Sequence, residues 1–171
     1  MVTKAVIITG PGFQDEEVIY PYYRLLEEEF SVDIATNGGV VVHGKYGVPA
    51  RATMPVSDLK ADNFDCVILP GGFEAPDRVR LLPEVLNFLR AMDKQNKLIA
   101  AICHGPWIMI SAGITKGRKM TAFWSIEADI KNSSADYQHK VPVVIDKNFI
   151  TSPHYNNNGD FMKAVVNYCR G

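Results

Sequence analysis

Cysteine is scarce in this chain: Cys66, Cys103 and Cys169 are the three among 171 residues, an odd number with no Cys-x-x-Cys spacing. That leaves no disulfide framework and no zinc-ligand cluster to read, so reduced thiols are the simpler expectation, and thiol chemistry falls to one cysteine working alone. Charge of one sign is also missing. With 18 basic and 19 acidic residues the formal charge is -1, and no Lys/Arg cluster is present to attract a phosphate backbone or an anionic membrane; no nucleic-acid partner is expected. Long apolar runs are absent as well. The opening MVTKAVIITGPG holds an apolar run of about six residues before glycine and proline, too short for a secretory core or a membrane span, and a cytoplasmic protein is expected. There is no repeat, linker or low-complexity segment, so residues 1–171 are expected to form one domain around one core.

What is present is 47% apolar residues, arranged in short β-rich runs at 5–9, 32–36, 66–69 and 98–102. Segments long enough for helices separate several of them, with helical patterns at 16–30, 83–95, 106–112, 126–132 and 160–169. This alternation points to an α/β domain with a parallel sheet. Later runs at 120–124, 143–145 and 149–151 supply further strands, the last two joined at Asp146-Lys147-Asn148 as a hairpin. Residues 40–53 read as an excursion hairpin. Pro21 falls inside the first helical pattern and is expected to kink it or mark a late start.

In an open parallel sheet, ligands gather beyond the carboxyl ends of the strands, and three loops there carry unusual chemistry. In LIAAICHGPW, residues 98–107, a run apolar on both faces ends in Cys103, His104, Gly105 and Pro106. A strand-turn-helix elbow with small residues on either side would present the Cys103 thiol to a substrate, and a helix N-terminus is expected to lower its pKa. A buried cysteine beside a helix cap fits the local pattern equally well. His104, on the same sharp turn, need not point toward that thiol; it is a candidate acid or base, or a histidine that fills the turn. The LPGGF loop, 69–73, offers the Gly72 N–H as a second oxyanion donor, although paired glycines after proline are common in ordinary turns. FQDEEVIYP, 13–21, sets three acids in a first helical turn, which the helix dipole alone accounts for; one of them facing the sheet end could hydrogen-bond Cys103, protonated and donating.

Together FQDEEVIYPYYRL, LPGGFEAPDRVRL and AAICHGPWIMISAGITKGRKMTAF resemble the PfpI/ThiJ superfamily over nearly the whole chain, in particular the PfpI-type intracellular proteases and their glyoxalase- and deglycase-like relatives. The resemblance implies a flavodoxin-like three-layer α/β/α sandwich similar to class I glutamine amidotransferase domains. It implies Cys103 as nucleophile with His104 beside it, Glu17 as the acid touching the thiol, and the Gly72 and His104 amides as oxyanion donors. Asp77 matches an acid that orients the histidine across a subunit contact, which implies a homo-oligomer, dimer or hexamer; Glu74 competes for that part, because the FEAPD loop is one residue longer than in the family and carries Asp where Glu is frequent. Gln14 stands where Glu is common, and SPHYNNNGDF replaces a segment that usually carries Arg, leaving His154 and Tyr155 as loop residues without an assigned part. Trp107, Trp124, Tyr20 and Phe73 are candidates to narrow the pocket, although packing is the commoner use of such residues. Cys66 reads as structural and Cys169 as a bystander. The implied activity is that of a thiol enzyme needing neither metal nor organic cofactor, acting on small reactive carbonyls or on peptides. An oxidative-stress sensor or holdase working through oxidation of Cys103 is the competing reading.

Overall fold

The computed structural model describes residues 2–171. In chain order the strands are β1 (Lys4–Ile8), β2 (Ser31–Thr36), β3 (Val42–His43), β4 (Pro49–Ala50), β5 (Met54–Pro55), β6 (Cys66–Leu69), β7 (Leu98–Ile102), β8 (Lys119–Met120), β9 (Asp136–Tyr137), β10 (Val144–Asp146) and β11 (Phe149–Ser152). The helices are α1 (Asp15–Glu27), α2 (Glu74–Val79), α3 (Pro83–Lys94), α4 (Pro106–Ala112), α5 (Glu127–Asn132) and α6 (Asn158–Arg170). Seven strands form the central sheet in the order β10-β11-β7-β6-β1-β2-β5. All its pairings are parallel except the β10–β11 hairpin.

Strand side chains alternate between two faces, and both faces are covered. Ala5, Ile7, Cys66, Ile68, Leu98, Ala100 and Ile102 join one core with α1 and α6, whereas Val6, Ile8, Val67, Leu69, Ile99 and Ala101 join another with α3, α4 and α5. A strand buried on both sides has no polar face to show, which is why these runs read as continuously apolar. Helix α3 illustrates the covering layer: Pro83 opens it, and Val85, Phe88, Leu89 and Met92 recur at one-turn spacing to form its buried stripe. The result is the expected flavodoxin-like α/β/α sandwich. Among the described residues, no helix is long and apolar enough to cross a membrane.

Several expectations are corrected in detail. Pro21 lies within α1 without breaking it, and that helix ends at Glu27 rather than 30. The run at 120–124 is a strand only over Lys119–Met120; Phe123 and Trp124 turn outward into a short 3-10 turn instead. Helix α2, directly after the double glycine, is absent from the sequence reading because its six residues are too few to display a helical period. The excursion at 40–53 is a hairpin as expected, pairing β3 with β4.

Strand β1 has β2 on one side and β6 on the other, so the chain reverses its direction of travel across the sheet between β1 and β6. Loops from neighbouring strands diverge there and leave a crevice at the carboxyl edge. Cys103, His104 and Gly72 line a cavity at that carboxyl edge.

Candidate active site

Cys103 directly follows β7 and adopts φ 60°, a left-handed conformation that costs an L-residue on the order of 1–3 kcal/mol. The surroundings enforce it. The Cys103 N–H donates to the Ser152 carbonyl at 2.9 Å, its carbonyl accepts from the Phe123 N–H at 2.9 Å, and the Gly105 N–H closes back on the Ile102 carbonyl at 2.8 Å. Close approach explains the glycines here: a Cβ on Gly105 would collide with the Leu69 carbonyl, and one on Gly71 would fall 2.6 Å from the Cys103 Cβ and 2.8 Å from the His104 nitrogen.

Six chain segments enclose the thiol. A cavity of about 260 Å³ is lined by Gln14, Lys45, Tyr46, Gly72, Phe73, Cys103, His104, Phe123, His154 and Tyr155. Cys103 lies at its floor, only 6% exposed. The backbone N–H groups of Gly72 and His104 bear on the sulfur and favour its charged form. His104 Nδ1 lies 3.2 Å from Cys103 Sγ, so the elbow does turn the imidazole toward the thiol, contrary to what adjacency on a sharp turn suggests.

The three acids of the first turn of α1 have three different parts. Asp15 accepts from the Tyr46 and Val48 N–H groups, both at 2.9 Å, and so pins the β3–β4 turn over the cavity. Glu16 accepts from the Gln14 side-chain amide at 2.7 Å. Glu17 is the fully buried one. Its Oε2 accepts from the Gly71 N–H at 2.7 Å, while Oε1 has no partner at ordinary hydrogen-bond geometry, yet the side chain bears directly on Cys103.

Burial pushes the Glu17 carboxyl up from 4.5 to about 8, against the lowering effect of the Gly71 N–H, so it carries a proton at neutral pH. The Cys103 thiol is also pushed up, first by burial and then by the Glu17 charge, with the Gly72 and His104 amides acting the other way. This corrects the expected depression of that pKa, which counts amides and helix but not the desolvation of a nearly inaccessible sulfur. His104 moves oppositely: burial lowers it to about 4 despite the Asp129 charge, leaving a neutral imidazole at pH 7.

Neither candidate acid reaches His104 within one chain. Glu74 pairs with Arg78 at 2.9 Å, and Asp77 is exposed on α2. His104 Nε2 instead faces Ser125 Oγ at 3.2 Å, a residue that the sequence reading missed and that nothing in FWSIEAD distinguishes from an ordinary serine. His154 and Tyr155 belong to the cavity wall, where Phe123, Trp124 and His154 stack within 6.0 Å of one another and Tyr155 lies 3.9 Å from the His154 ring. Their signal was indirect: the turn that carries them follows β11, the strand beside β7. Trp107 contacts the His104 ring edge-on and donates to Asp129 at 3.0 Å, so it supports the imidazole from behind rather than lining the cavity. Tyr20 faces a separate apolar hollow with Ile19, Tyr23 and Val48. Among the described residues, no group of three or more His, Cys, Asp or Glu side chains is placed to hold a metal ion.

The chain as a whole has relatives among known proteins. Deglycase PfpI of Pyrococcus furiosus is 40% identical over 163 residues, covering 95% of this chain and 97% of its own. General stress protein 18 of Bacillus subtilis is 35% identical over 156 residues, 89% of each chain. A crystal structure of a two-domain protein from Anabaena variabilis, with DJ-1/ThiJ/PfpI-like and ferritin-like domains, superposes with a TM-score of 0.94 at 32% identity; the match covers 97% of this chain and 48% of that longer one. Residues 3–168 match the DJ-1/PfpI family model, and with near full-length relatives and the fold in agreement, the chain belongs to the DJ-1/PfpI family.

Proposed function

We propose that this protein is a cysteine-dependent enzyme that converts small reactive carbonyls, 2-oxoaldehydes or their adducts on amines and thiols, without metal or organic cofactor. The observation that carries this reading is the pairing of Cys103 Sγ with His104 Nδ1 at 3.2 Å on the floor of a cavity of about 260 Å³. A space of that size suits a few-carbon carbonyl compound and is poorly suited to an extended peptide. The relative named as a deglycase supports the same chemistry.

The thiol at rest is protonated, because burial opposes the thiolate. A neutral His104 is the base within reach, provided that Nδ1 is the bare nitrogen and Nε2–H donates to Ser125 Oγ. As sulfur bonds to the aldehyde carbon, the thiol proton passes to Nδ1, and the carbonyl oxygen gathers charge beside the Gly72 and His104 amides. Glu17, protonated, adds no negative charge beneath the sulfur. With a 2-oxoaldehyde, a proton then shifts from the former aldehyde carbon to its neighbour, giving a thioester, and water releases the 2-hydroxy acid and the free thiol. Asp77, delivered from a neighbouring copy of the chain, would orient His104 in place of the serine.

Consumption of methylglyoxal by the purified protein, without added glutathione or metal, tests the reading. Cys103→Ser is expected to abolish turnover, and His104→Ala to slow it ~100-fold or more, with the substrate-sized addition on Cys103 forming more slowly than in the parent in intact-mass spectra. Negligible turnover over a panel of small carbonyls, with mild peroxide adding two oxygens to Cys103 alone, would favour the sensor instead.

A further inference from the structure

Two thiols outside the site meet at the opposite edge of the sheet. Cys66 is the first residue of β6 and fully buried; its register partners are Ala5 and Leu98, and all three point to the face that α1 and α6 cover. Cys169 lies in the last turn of α6, partly exposed and packed against that same core. It lines a solvent-open hollow of about 360 Å³ together with Asp65 and Leu98, the chain neighbour and the register partner of Cys66. Cys169 packs against the cluster that contains Cys66, so the two thiol side chains adjoin beneath this floor.

From this juxtaposition we infer that Cys66 and Cys169 form a redox-active dithiol, closed to a disulfide by low-molecular-weight disulfides that reach Cys169 through the hollow. In the sequence Cys66 reads as a structural strand residue and Cys169 as a bystander near the end of the last helix, and the 102 residues between them give no hint that they meet. The division of labour follows from their surroundings. Cys169 is partly accessible and its thiol is pulled below the usual range, chiefly by the Cys66 contact, whereas that same contact and then burial push Cys66 up. Cys169 is therefore the attacking thiolate and Cys66 the resolving thiol.

In the first exchange the Cys169 sulfur bonds to one sulfur of the small disulfide, and the other leaves as a thiolate. In the second, the Cys66 sulfur bonds to that of Cys169 and expels the second small thiolate, its own proton going to the departing group. Two protein thiols are oxidised and one external disulfide is reduced to two thiols. The product ties the end of α6 to β6, and α6 is the helix that begins just after the His154–Tyr155 wall of the cavity.

The test uses the full chain equilibrated over a series of glutathione to glutathione disulfide ratios, then acid-quenched and mapped by peptide mass spectrometry. The expected result is a Cys66–Cys169 cross-linked peptide pair, an intact mass lower by two hydrogens, and a Tm raised by roughly 5 °C that reductant reverses. Cys103→Ser should leave all of this in place and Cys169→Ser should abolish it, so the outcome is independent of any carbonyl chemistry. A stable glutathione adduct on Cys169 that never resolves, or both thiols free in fully oxidised buffer, would overturn the inference; both are read on the unsubstituted protein.

Discussion

A carboxyl group with no exposed surface, such as that of Glu17, makes the pH of the medium a term in the stability of the whole fold. Its folded pKa of about 8 lies well above the ordinary 4.5, so between these values the native state holds a proton that the unfolded chain has given up. The contribution is complete below pH 4.5 and drains away as pH rises through about 8. At roughly 1.4 kcal/mol per unit, this one side chain costs the protein several kcal/mol in alkaline solution. Glu17→Gln keeps an oxygen for the Gly71 N–H and removes the ionisation. It is expected to be more stable than the parent by about 2 kcal/mol or more at pH 8.5, with the gap closing toward pH 5, as urea denaturation at the two pH values would show. An equal gap at both would mean that the carboxyl does not titrate with folding. His104 has the opposite slope: its pKa of about 4 means that stability is present above pH 6.5 and lost as acid protonates the buried ring.

At the scale of elements, the elbow between β7 and α4 depends on a glycine in contact with backbone. A methyl group on Gly105 meets the Leu69 carbonyl of the adjacent strand and the Ile102 carbonyl, neither of which can rotate away. Gly105→Ala is therefore expected to cost ~2–3 kcal/mol and to displace Cys103, seen as a lower denaturation midpoint together with faster alkylation of that thiol. An unchanged midpoint would show that the elbow tolerates a wider turn. This elbow was legible in the residues, since a continuous apolar strand followed by Cys-His-Gly-Pro admits few geometries. Strands β6 and β7 and helix α4 fall where the patterns put them, because burial on both faces leaves an unambiguous run and Pro106 fixes a helix start. Glu17 was legible in part: it shares with Val18, Pro21 and Leu25 the buried side of α1, an acid on an apolar stripe. The remainder was hidden for physical reasons. Lys45, Tyr46, His154 and Tyr155 reach the cavity, and Ser125 reaches His104, through long-range meeting of loops, and no local period records which loops meet.

Considered whole, the molecule has its proposed histidine-orienting acid on the outside. Helix α2 carries exposed Asp77 and is flanked by Phe73 and Leu81, 63% and 74% exposed, an apolar rim beside the mouth of the cavity. We propose that a second copy covers this rim and that Asp77 crosses to its neighbour's His104. Asp77→Ala should then lower turnover without lowering Tm, and small-angle scattering should show an assembly larger than one chain; a monomer at high concentration with full activity in Asp77→Ala would count decisively against a shared site. The sheet order has one more consequence. Strand β7, which delivers Cys103, is flanked by β6 and by β11, whose Ser152 carbonyl holds the Cys103 N–H. During synthesis the chain emerges from its amino end, so a ribosome-bound chain that has already released the cysteine still lacks the strand that clamps it. Until β11 is made, the thiol is an ordinary one on an unfinished sheet, and a nascent chain cannot attack its surroundings with machinery that it does not yet possess.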